Sequence, residues 1–294
     1  MKIIDHGAGE RYAAPCVLLL GYFDGVHVGH RRLIARAEEL ARECGCETGI
    51  TTFYDGKNGG QIYLFEERLA LFEKLGISFI YAAHFDAGFR DTEGEDFLNK
   101  VCESLNVRAF VCGEDYTFGR GAACGTKELA SFCGRRGIRL CAEPLVLSGN
   151  EKAAATLAKR LLDEGDMPAL AELLGEPYFI SGTVSTEGRH VGRRIGFPTA
   201  NIHLDPEKYP LRCGVYAVTV GIGKSKYRGI ANYGSRPTFA DKRIVLEVYV
   251  DGYAGNLYGQ KITVYFDLYL RGIRKFSSAE ELSEQLKCDL EKIR

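Results

Sequence analysis

The stretch CVLLLGYFDGVHVGH, from Cys16 to His30, decides the fold of the first half of the chain. Its apolar beginning predicts a buried strand, a glycine-bearing turn follows, and a helical pattern starts near its end. Two histidines, His27 and His30, stand three residues apart where turn and helix meet. Glycine lets the backbone approach a ligand, and a helix N-terminus presents N–H donors with a partial positive charge. The stretch therefore predicts a turn that binds the phosphates of ATP.

The histidine pair also has an ordinary explanation. Histidines at this spacing can be solvent-exposed, or buried in a core with their hydrogen bonds satisfied, and a lone short motif often matches without the function. The strand, turn and helix around His27 and His30 are, however, the context that phosphate binding needs, and both imidazoles would face one side of the junction. We therefore favour phosphate binding for this pair.

Strand and helix patterns alternate through the rest of the first half. The helix after His30 is expected to stop at Gly45. Apolar runs predict strands in ETGITTF, ISFIYAAHF, VRAFVCG and IRLCAEPLVL, separated by helices in FEERLALFEKLG, TEGEDFLNKVCESLN and TKELASFCGRRG. This alternation predicts a doubly wound parallel sheet, which binds ligands beyond the carboxyl ends of its strands.

The second half has a different pattern, beginning near GEPYFISG (residues 175–182). GVYAVTVGI, KYRGIANYG, RIVLEVYV and QKITVYFDLYLRGIR are joined by turns rich in Gly, Asn and Asp, which predicts an antiparallel barrel or sandwich. A closing helix is expected, with Ser278 and Glu281 as a capping box. Its buried stripe would be Leu282, Leu286, Leu290 and Ile293.

The change of pattern also sets the expected domain boundary. We place the first domain at residues 1–174, including a helical bridging segment from about 151, and the second at residues 175–294.

Composition indicates which classes of partner the chain is expected to bind. A formal net charge of -1 over 294 residues gives no reason to expect a broad surface for nucleic acid. The sequence shows no apolar run that would span a bilayer and no signal-peptide pattern, so we expect a cytoplasmic protein. The ten cysteines have no spacing typical of structural zinc and are expected to be reduced core residues.

Several motifs carry a resemblance to a known family. GYFDGVHVGH resembles the H-x-G-H signature of nucleotidyltransferases, in the form found in prokaryotic bifunctional riboflavin kinase/FAD synthetases. CGEDYTFGRG, residues 112–121, resembles the second conserved stretch of that family. GRRIGFPTAN, CGVYAV, ANYGSRPTF, LEVYV, NLYGQKITV and RKFSSAEEL resemble the flavokinase domain, in the same order. The resemblance covers essentially the whole chain.

The resemblance implies a fold and a set of substrates. A Rossmann-like α/β nucleotidyltransferase domain would be followed by an antiparallel β-barrel flavokinase domain with a C-terminal helix. ATP would be the co-substrate with Mg²⁺, riboflavin would be phosphorylated to FMN, and FMN would be adenylylated to FAD. Nucleotide or flavin binding in the first domain would involve Gly21, Asp24, His27, Gly29, His30, Gly113, Asp115 and Thr156.

The flavokinase motifs imply roles for residues of the second domain. Glu247 would accept the proton of the ribityl 5′-hydroxyl, although a glutamate on the polar face of a strand has a simple structural explanation. Thr199 and Asn201 would contact Mg²⁺ and phosphates, since a hydroxyl and an amide oxygen are hard ligands. Further binding residues would be Gly182, Gly188, Gly192, Arg193, Asn232 and Arg236, with Gly196 and Thr238 beside them.

Two motifs of the first domain depart from the family pattern. T-F-x-P-H-P appears as TFYDGK, so that Asp55, Gly56 and Lys57 replace Pro, His and Pro. S-S-T-x-x-R appears as AATLAK, with Lys159 at the arginine position. Loss of the two serine hydroxyls and of the bidentate arginine guanidinium would weaken binding of a triphosphate. Asp55 would add negative charge near that triphosphate. We therefore expect FMN adenylylation to be weak, absent or performed by a changed set of residues.

Three interpretations stay open on the sequence alone. The chain is a riboflavin kinase with a weakened adenylyltransferase domain, a fully bifunctional enzyme, or a kinase whose first domain only binds flavin or nucleotide. The expected partners are small molecules; neither nucleic acid nor a membrane is expected, and a homo-oligomer is compatible with the sequence.

Overall fold

The computed structural model of the chain describes residues 1–56, 59–185, 198–235 and 244–292. The chain forms two compact units, Met1–Leu157 and Ala158–Arg294. Most of the segment expected to bridge the halves falls in the second unit, while the domain boundary between 174 and 175 stays a prediction. None of the helices in the described part of the chain is long and apolar enough to cross a bilayer.

The first unit is a parallel α/β sheet. Its strands are β1 (Lys2–Asp5), β2 (Tyr12–Leu19), β3 (Glu47–Phe53), β4 (Phe79–Ala83), β5 (Leu105–Gly113) and β6 (Arg139–Glu143). The helices are α1 (Val28–Cys44), α2 (Phe65–Lys74), α3 (Ala87–Arg90), α4 (Gly94–Ser104) and α5 (Thr126–Arg136), with a 3₁₀ turn at Arg120–Ala122. The strand order β1-β4-β3-β2-β5-β6, with neighbouring strands parallel, confirms the predicted α/β fold.

Two details at the ends of this unit were not predicted. β1 is a four-residue edge strand paired with β4, too short to show a period in the sequence. The run IRLCAEPLVL is not one strand, because β6 ends at Glu143, directly before Pro144, which has no N–H to continue a ladder. The chain then makes a small hairpin from β7 (Leu147–Ser148) and β8 (Glu151–Lys152).

The first helix begins and ends where the sequence predicts. His27 is the N-cap of α1, and its Nδ1 accepts a hydrogen bond from the backbone N–H of His30 at 3.4 Å. Gly45 ends the helix in the left-handed conformation, at φ 62°, which glycine adopts without a Cβ penalty. Leu33, Ala37 and Leu40 are buried against the sheet side of the unit.

The second unit is an antiparallel barrel. Its strands are β9 (Phe179–Thr183), β10 (Thr199–Ile202), β11 (Gly214–Ile222), β12 (Ser225–Ser235), β13 (Ile244–Val250) and β14 (Lys261–Arg271). They follow the order β10-β13-β12-β11-β14-β9. An antiparallel bridge between Val184 and Ile202 joins the two edges of the sheet and closes the barrel. The predicted antiparallel barrel is therefore confirmed.

Among the described residues, helices α6 (Ala155–Glu164), α7 (Met167–Leu174) and α8 (Ala279–Glu291) accompany the barrel strands. Leu286 and Leu290 of α8 pack on an apolar patch of the sheet formed by Val215 and Ile230. Ser278 caps α8 by accepting from the N–H of Glu281 at 3.2 Å. The carboxylate of Glu281 reaches back to Ser277 rather than to Ser278, which modifies the predicted capping box. Ile293, expected on the stripe, lies outside the described residues.

The cysteines are all free, and they are less uniformly buried than expected. Cys16, Cys112 and Cys133 are core residues of the first unit, whereas Cys44, Cys213 and Cys288 are exposed. Within the described ranges, no group of three or more His, Cys, Asp or Glu side chains is arranged to hold a metal ion.

Candidate functional site

The turn between β2 and α1 is held in an unusual backbone conformation. Phe23 and Val26 both have positive φ, at 57° and 45°, although neither is glycine and both are almost completely buried. A β-branched residue in this region is an outlier, and strain of this kind concentrates at functional sites. A Cβ at Gly21 would lie 2.7 Å from the Phe23 ring, so the turn needs glycine there.

Two threonines of β3 brace this turn. The Thr51 hydroxyl accepts from the Gly21 N–H at 2.9 Å and donates to the Gly21 carbonyl at 3.0 Å. The Thr52 hydroxyl donates to the Tyr22 carbonyl at 2.8 Å. These bonds explain what the TTF stretch does structurally, because they tie the turn between β2 and α1 to the end of the neighbouring strand.

A fully buried arginine, which sequence reasoning missed, completes the support of the turn. Arg68 of α2 donates to the Thr52 hydroxyl at 2.5 Å, and to the Phe53 carbonyl and the Gln61 side chain at 2.7 Å each. Its guanidinium also lies 5.1 Å from the centre of the Tyr22 ring. Burial lowers the pKa of Arg68, an effect that the neighbouring Asp24 opposes.

The two histidines of the turn stack on each other. Their ring centres are 3.7 Å apart with an angle of 20° between the planes, and Phe23 packs 4.7 Å from the His30 ring. Burial lowers the pKa of His27 to about 4, with a further contribution from Lys152, and burial lowers the pKa of His30 as well. Both rings are therefore neutral near pH 7. Within the described part of the chain, the buried Nδ1 of His30 has no hydrogen-bond partner.

A cavity of about 650 Å³ opens beside these histidines at the carboxyl ends of the strands. Its lining includes most of the residues predicted for the first site: Gly21, Asp24, His27, Gly29, His30, Gly113 and Asp115. Aromatic side chains form another part of the wall, namely Phe53, Phe85, Phe89, Phe97, Tyr116 and Phe118. The structure thus brings one polar and one aromatic region together, as expected for a ligand with phosphates and a flat ring.

Asp24 has a structural task within this cavity wall. Its carboxylate is buried and accepts from the N–H groups of Ile62 at 2.9 Å and Tyr63 at 3.4 Å. It therefore holds the segment before α2 against the turn between β2 and α1. Its predicted role in ligand binding stays a prediction.

Thr156 lies differently from the other predicted residues of the first site. It is exposed in the first turn of α6 and is absent from the described lining of the cavity, so its predicted role stays untested. Ala154 and Ala155, which stand at the two serine positions of the family pattern, line the cavity together with Ala153.

The carboxylate of Asp55, expected to bring negative charge near the phosphates, makes its contacts at the ends of β3 and β4. The Asp55 carboxylate contacts Nδ1 of His84 at 3.0 Å and accepts from the N–H of Phe85 at 3.0 Å. Asp55 is also absent from the described cavity lining. The carboxylate joins the ends of β3 and β4, and Lys57 lies outside the described residues.

Lys159, at the position of the family arginine, contacts an aromatic ring. Its Nζ lies 4.8 Å from the centre of the Tyr209 ring, within the second unit. A different lysine reaches the histidine site: Lys152, at the end of β8, lines the cavity and forms an ion pair with Asp115. No motif in the sequence marks Lys152, because a single lysine in a short hairpin looks like any exposed lysine.

The second candidate site is a row of polar residues across three strands of the barrel. Asn201 of β10 pairs with Glu247 of β13, and Glu247 pairs with Asn232 of β12. Directly opposed residues point to the same face, with Cβ atoms about 5 Å apart. Leu246 and Val248 are fully buried on the other face, so the row projects from the outer face of the barrel.

Thr199 extends this row along its strand. It lies two residues before Asn201 and therefore on the same face of β10. A threonine hydroxyl, an asparagine amide and the Glu247 carboxylate together are an oxygen donor set that suits Mg²⁺. The residues present thus fit the magnesium ion that the family resemblance implies.

Gly182 has a packing role in addition to any role in binding. It lies within β9, and a Cβ there would come within 2.4 Å of Ile202 Cγ2. The predicted residues Gly188, Gly192, Arg193 and Arg236 lie outside the described residues, as do Gly196 and Thr238.

Comparison with known protein families assigns both units. A sequence model of FAD synthetases matches residues 10–157, and one of riboflavin kinases matches residues 174–294. These two matches correspond to the parallel sheet with the histidine turn and to the barrel with the polar row.

Whole-chain comparisons agree with this assignment. A bifunctional riboflavin kinase/FMN adenylyltransferase of Bacillus subtilis is 32% identical over 94% of this chain and 90% of its own length. One of Escherichia coli is 31% identical over 98% of this chain and 96% of its own. A crystal structure described as a macrolide-efflux protein of Streptococcus pneumoniae covers 99% of this chain and 98% of its own, with a TM-score of 0.89 and 28% identity. The chain belongs to the bifunctional riboflavin kinase/FMN adenylyltransferase family of enzymes.

Proposed function

We propose that the chain uses ATP twice, phosphorylating riboflavin to FMN in the barrel and adenylylating FMN to FAD in the parallel-sheet unit. The aligned row of Asn201, Glu247 and Asn232 carries the kinase assignment. The cavity beside His27 and His30 supports the adenylyltransferase assignment. This proposal favours the fully bifunctional interpretation over one in which the first domain has no catalytic activity.

In the barrel, Glu247 orients the ribityl 5′-hydroxyl and accepts its proton as the oxygen attacks the γ-phosphorus of ATP. The bond between that phosphorus and the ADP oxygen breaks, and ADP leaves. Asn201 and Asn232 flank Glu247 and limit where the hydroxyl can lie. Thr199 and Asn201 would hold Mg²⁺, which would supply charge neutralisation for the phosphates.

In the parallel-sheet unit, a phosphate oxygen of FMN attacks the α-phosphorus of ATP, and diphosphate leaves. The reaction needs little covalent chemistry from the protein, so positioning and charge stabilisation carry the rate. The neutral imidazoles of His27 and His30 donate hydrogen bonds at the N-terminus of α1. Phe53, Phe85 and Phe89 offer an apolar wall for a flavin ring.

The kinase assignment is tested with Glu247→Gln. FMN formation from riboflavin and Mg-ATP is expected to fall by about 10²-fold or more, the usual contribution of a positioned base. FAD formation from supplied FMN should be unchanged in the same protein. Glu284→Gln, on the exposed side of α8, is the matched control. Equal FMN formation by both variants would refute the role of Glu247.

The adenylyltransferase assignment is tested with His30→Asn and with the wild-type chain. We expect FAD from FMN and Mg-ATP with the wild type and a strong loss with His30→Asn, while FMN formation persists. His84→Asn, an exposed histidine of the same unit, is the control. The rate of FAD formation by the wild type tests whether adenylyl transfer is as weak as the sequence motifs predict. Binding of ATP and FMN without FAD would instead identify a non-catalytic binding domain.

A further inference from the structure

Three phenylalanines form an aromatic wall on one side of the cavity in the first unit: Phe53, Phe85 and Phe89. The Phe53 ring centre lies 5.0 Å from the ring centre of Phe85 and 5.0 Å from that of Phe89, with angles of 65° and 79° between the planes. All three side chains are only half-buried. A flat apolar ring that enters the cavity would therefore remove further aromatic surface from water.

Two of these rings belong to backbone that lies beyond the sheet. β4 ends at Ala83, where the Tyr54 N–H donates to the Ala83 carbonyl at 3.0 Å, and Phe85 follows two residues later. Phe89 belongs to α3, which has only four residues. A single helical turn is not stable by itself. The orientation of the aromatic wall therefore depends on side chains that hold these two residues.

A carboxylate accepts from the backbone N–H of each of the two residues. Oδ2 of Asp55 accepts from the Phe85 N–H at 3.0 Å, and Oδ1 of Asp86 accepts from the Phe89 N–H at 2.8 Å. Asp86 is the N-cap of its own helix, an ordinary local role. Asp55 comes from the end of β3 instead, so its bond fixes Phe85 relative to the neighbouring strand. Bonds to an ionised acceptor are also the stronger kind.

The main chain of Asp55 is connected to the opposite side of the cavity. Its carbonyl accepts from the hydroxyl of Tyr22 at 3.1 Å, and the Tyr22 ring lines the cavity 5.6 Å from the Phe53 ring. Asp55 thus joins the turn between β2 and α1 to the residue that carries the Phe85 ring. The family pattern has a proline at this position, and a proline side chain has no acceptor. The side-chain bond is therefore a feature of this chain rather than of the motif.

We propose that Asp55 is a positioning residue for flavin binding in the first unit, which holds Phe85 in the orientation that the flavin ring contacts. This inference rests on the proposed adenylylation of FMN. Because Asp55 is absent from the described lining of the cavity, it acts through the Phe85 backbone and not by touching the substrate. Removing its carboxylate should weaken FMN binding and leave the use of ATP unchanged.

The test measures FAD formation by Asp55→Ala in the full-length chain, with FMN and ATP varied separately. Loss of a hydrogen bond to a charged acceptor predicts a rise of about tenfold in the KM for FMN. The KM for ATP and the kcat should stay within about twofold of the wild type, since the histidine turn keeps its own support. Asp55→Asn keeps a side-chain oxygen that can accept from the Phe85 N–H, so it should recover most of the affinity for FMN.

Glu128→Ala is the matched control. The Glu128 carboxylate also accepts from a backbone N–H of the same unit, that of Gly125 at 2.7 Å, and neither residue belongs to the described cavity lining. FMN formation in the barrel reports on folding and should be the same in all variants. A KM for FMN in Asp55→Ala equal to that of Glu128→Ala would overturn the inference. A rise in the KM for ATP as large as the rise for FMN would also overturn it.

The proposed function and this inference fail separately. If the wild type forms no FAD, the proposed adenylyl transfer is wrong, and rapid-mixing hydrogen exchange of residues 85–90 still decides the role of Asp55, because this readout is local to the aromatic wall. Protection of the segment by FMN that needs about tenfold more FMN in Asp55→Ala than in Glu128→Ala supports the inference. Protection at equal FMN concentrations in the two variants, or no protection in the wild type, rejects it.

Discussion

Arg68 is the residue whose loss should damage the first unit most directly. Its side chain is completely buried and donates to Thr52, Phe53 and Gln61. Arg68→Met keeps much of the aliphatic volume and removes every donor. Three acceptors, two of them buried and one half-buried, then lose this partner, and Asp24 loses a nearby positive charge.

The magnitude follows from those acceptors. A buried polar group deprived of its partner costs about 1–3 kcal/mol, and taking values near the lower end for three groups gives a loss of about 3–5 kcal/mol. A unit of this size shifts by about 2–4 °C in Tm for each kcal/mol, so we expect the Tm to fall by about 10 °C. Lysine should not rescue the variant, because a single ammonium group cannot match a planar fork that serves several acceptors.

The assay is calorimetric unfolding of the full chain, with Arg135→Met as the matched control. Arg135 belongs to the same unit, but its guanidinium is exposed in a pair with Glu95, and such surface pairs contribute about 0–1 kcal/mol. If Arg68→Met and Arg135→Met lower the Tm equally, the buried network does not stabilise the turn. If the Tm of Arg68→Met falls while the phosphate turn still supports FAD formation below the Tm, the network contributes stability alone.

Three further changes have outcomes that follow from single features. The pKa of His27, about 4 in the folded chain against a usual 6.5, means that protonation favours unfolding. The free energy of unfolding should therefore fall by about 3 kcal/mol as the pH drops from about 6.5 to 4, and His27→Gln should remove this part of the dependence. Asp289→Asn should destabilise the barrel by about 3–5 kcal/mol, measured by urea unfolding, since it leaves the Arg271 guanidinium, whose Nε and Nη2 both donate to Oδ2 of Asp289, without its buried carboxylate. Gly182→Ala should cost about 1–3 kcal/mol by the same measurement, because its Cβ would overlap Ile202.

Control variants accompany these changes. Glu284→Gln should leave the barrel as stable as the wild type. Gly134→Ala, in the last turn of α5, should stabilise the first unit slightly, because a Cβ there meets nothing within 4 Å and alanine favours a helix. A pH dependence unchanged in His27→Gln, or urea midpoints of Asp289→Asn and Gly182→Ala equal to the wild type, would contradict the structural explanations.

The order of strands and helices in both units is predictable from the sequence, because apolar periodicity marks the buried faces and glycine marks the turns. The turn between β2 and α1, the helix itself and its end at Gly45 are found where the pattern places them. β1 escapes prediction, since four residues at a sheet edge carry no period. Arg68 escapes because a charged residue in a helical pattern looks exposed, and only the tertiary fold brings its acceptors together.

The predicted site residues also differ in how much the sequence alone shows about them. Motif resemblance identifies Asn201, Asn232 and Glu247 one by one, but their alignment in a row depends on strand register, which three separate segments set together. The sequence shows that Asp55 is charged, but the direction of its carboxylate depends on His84, which follows β4. Lys152 reaches the cavity only through the hairpin that carries it, which no sequence pattern predicts.

Isotope tracing tests the central claim most directly. The wild-type chain is incubated with riboflavin and Mg-ATP labelled at either the γ- or the α-phosphorus, and the flavins are separated. If the barrel transfers the γ-phosphoryl group and the parallel-sheet unit transfers the adenylyl group, the γ-label enters FMN and then FAD, while the α-label enters FAD alone. A γ-label in FMN with no α-label in any flavin would contradict two activities on one chain.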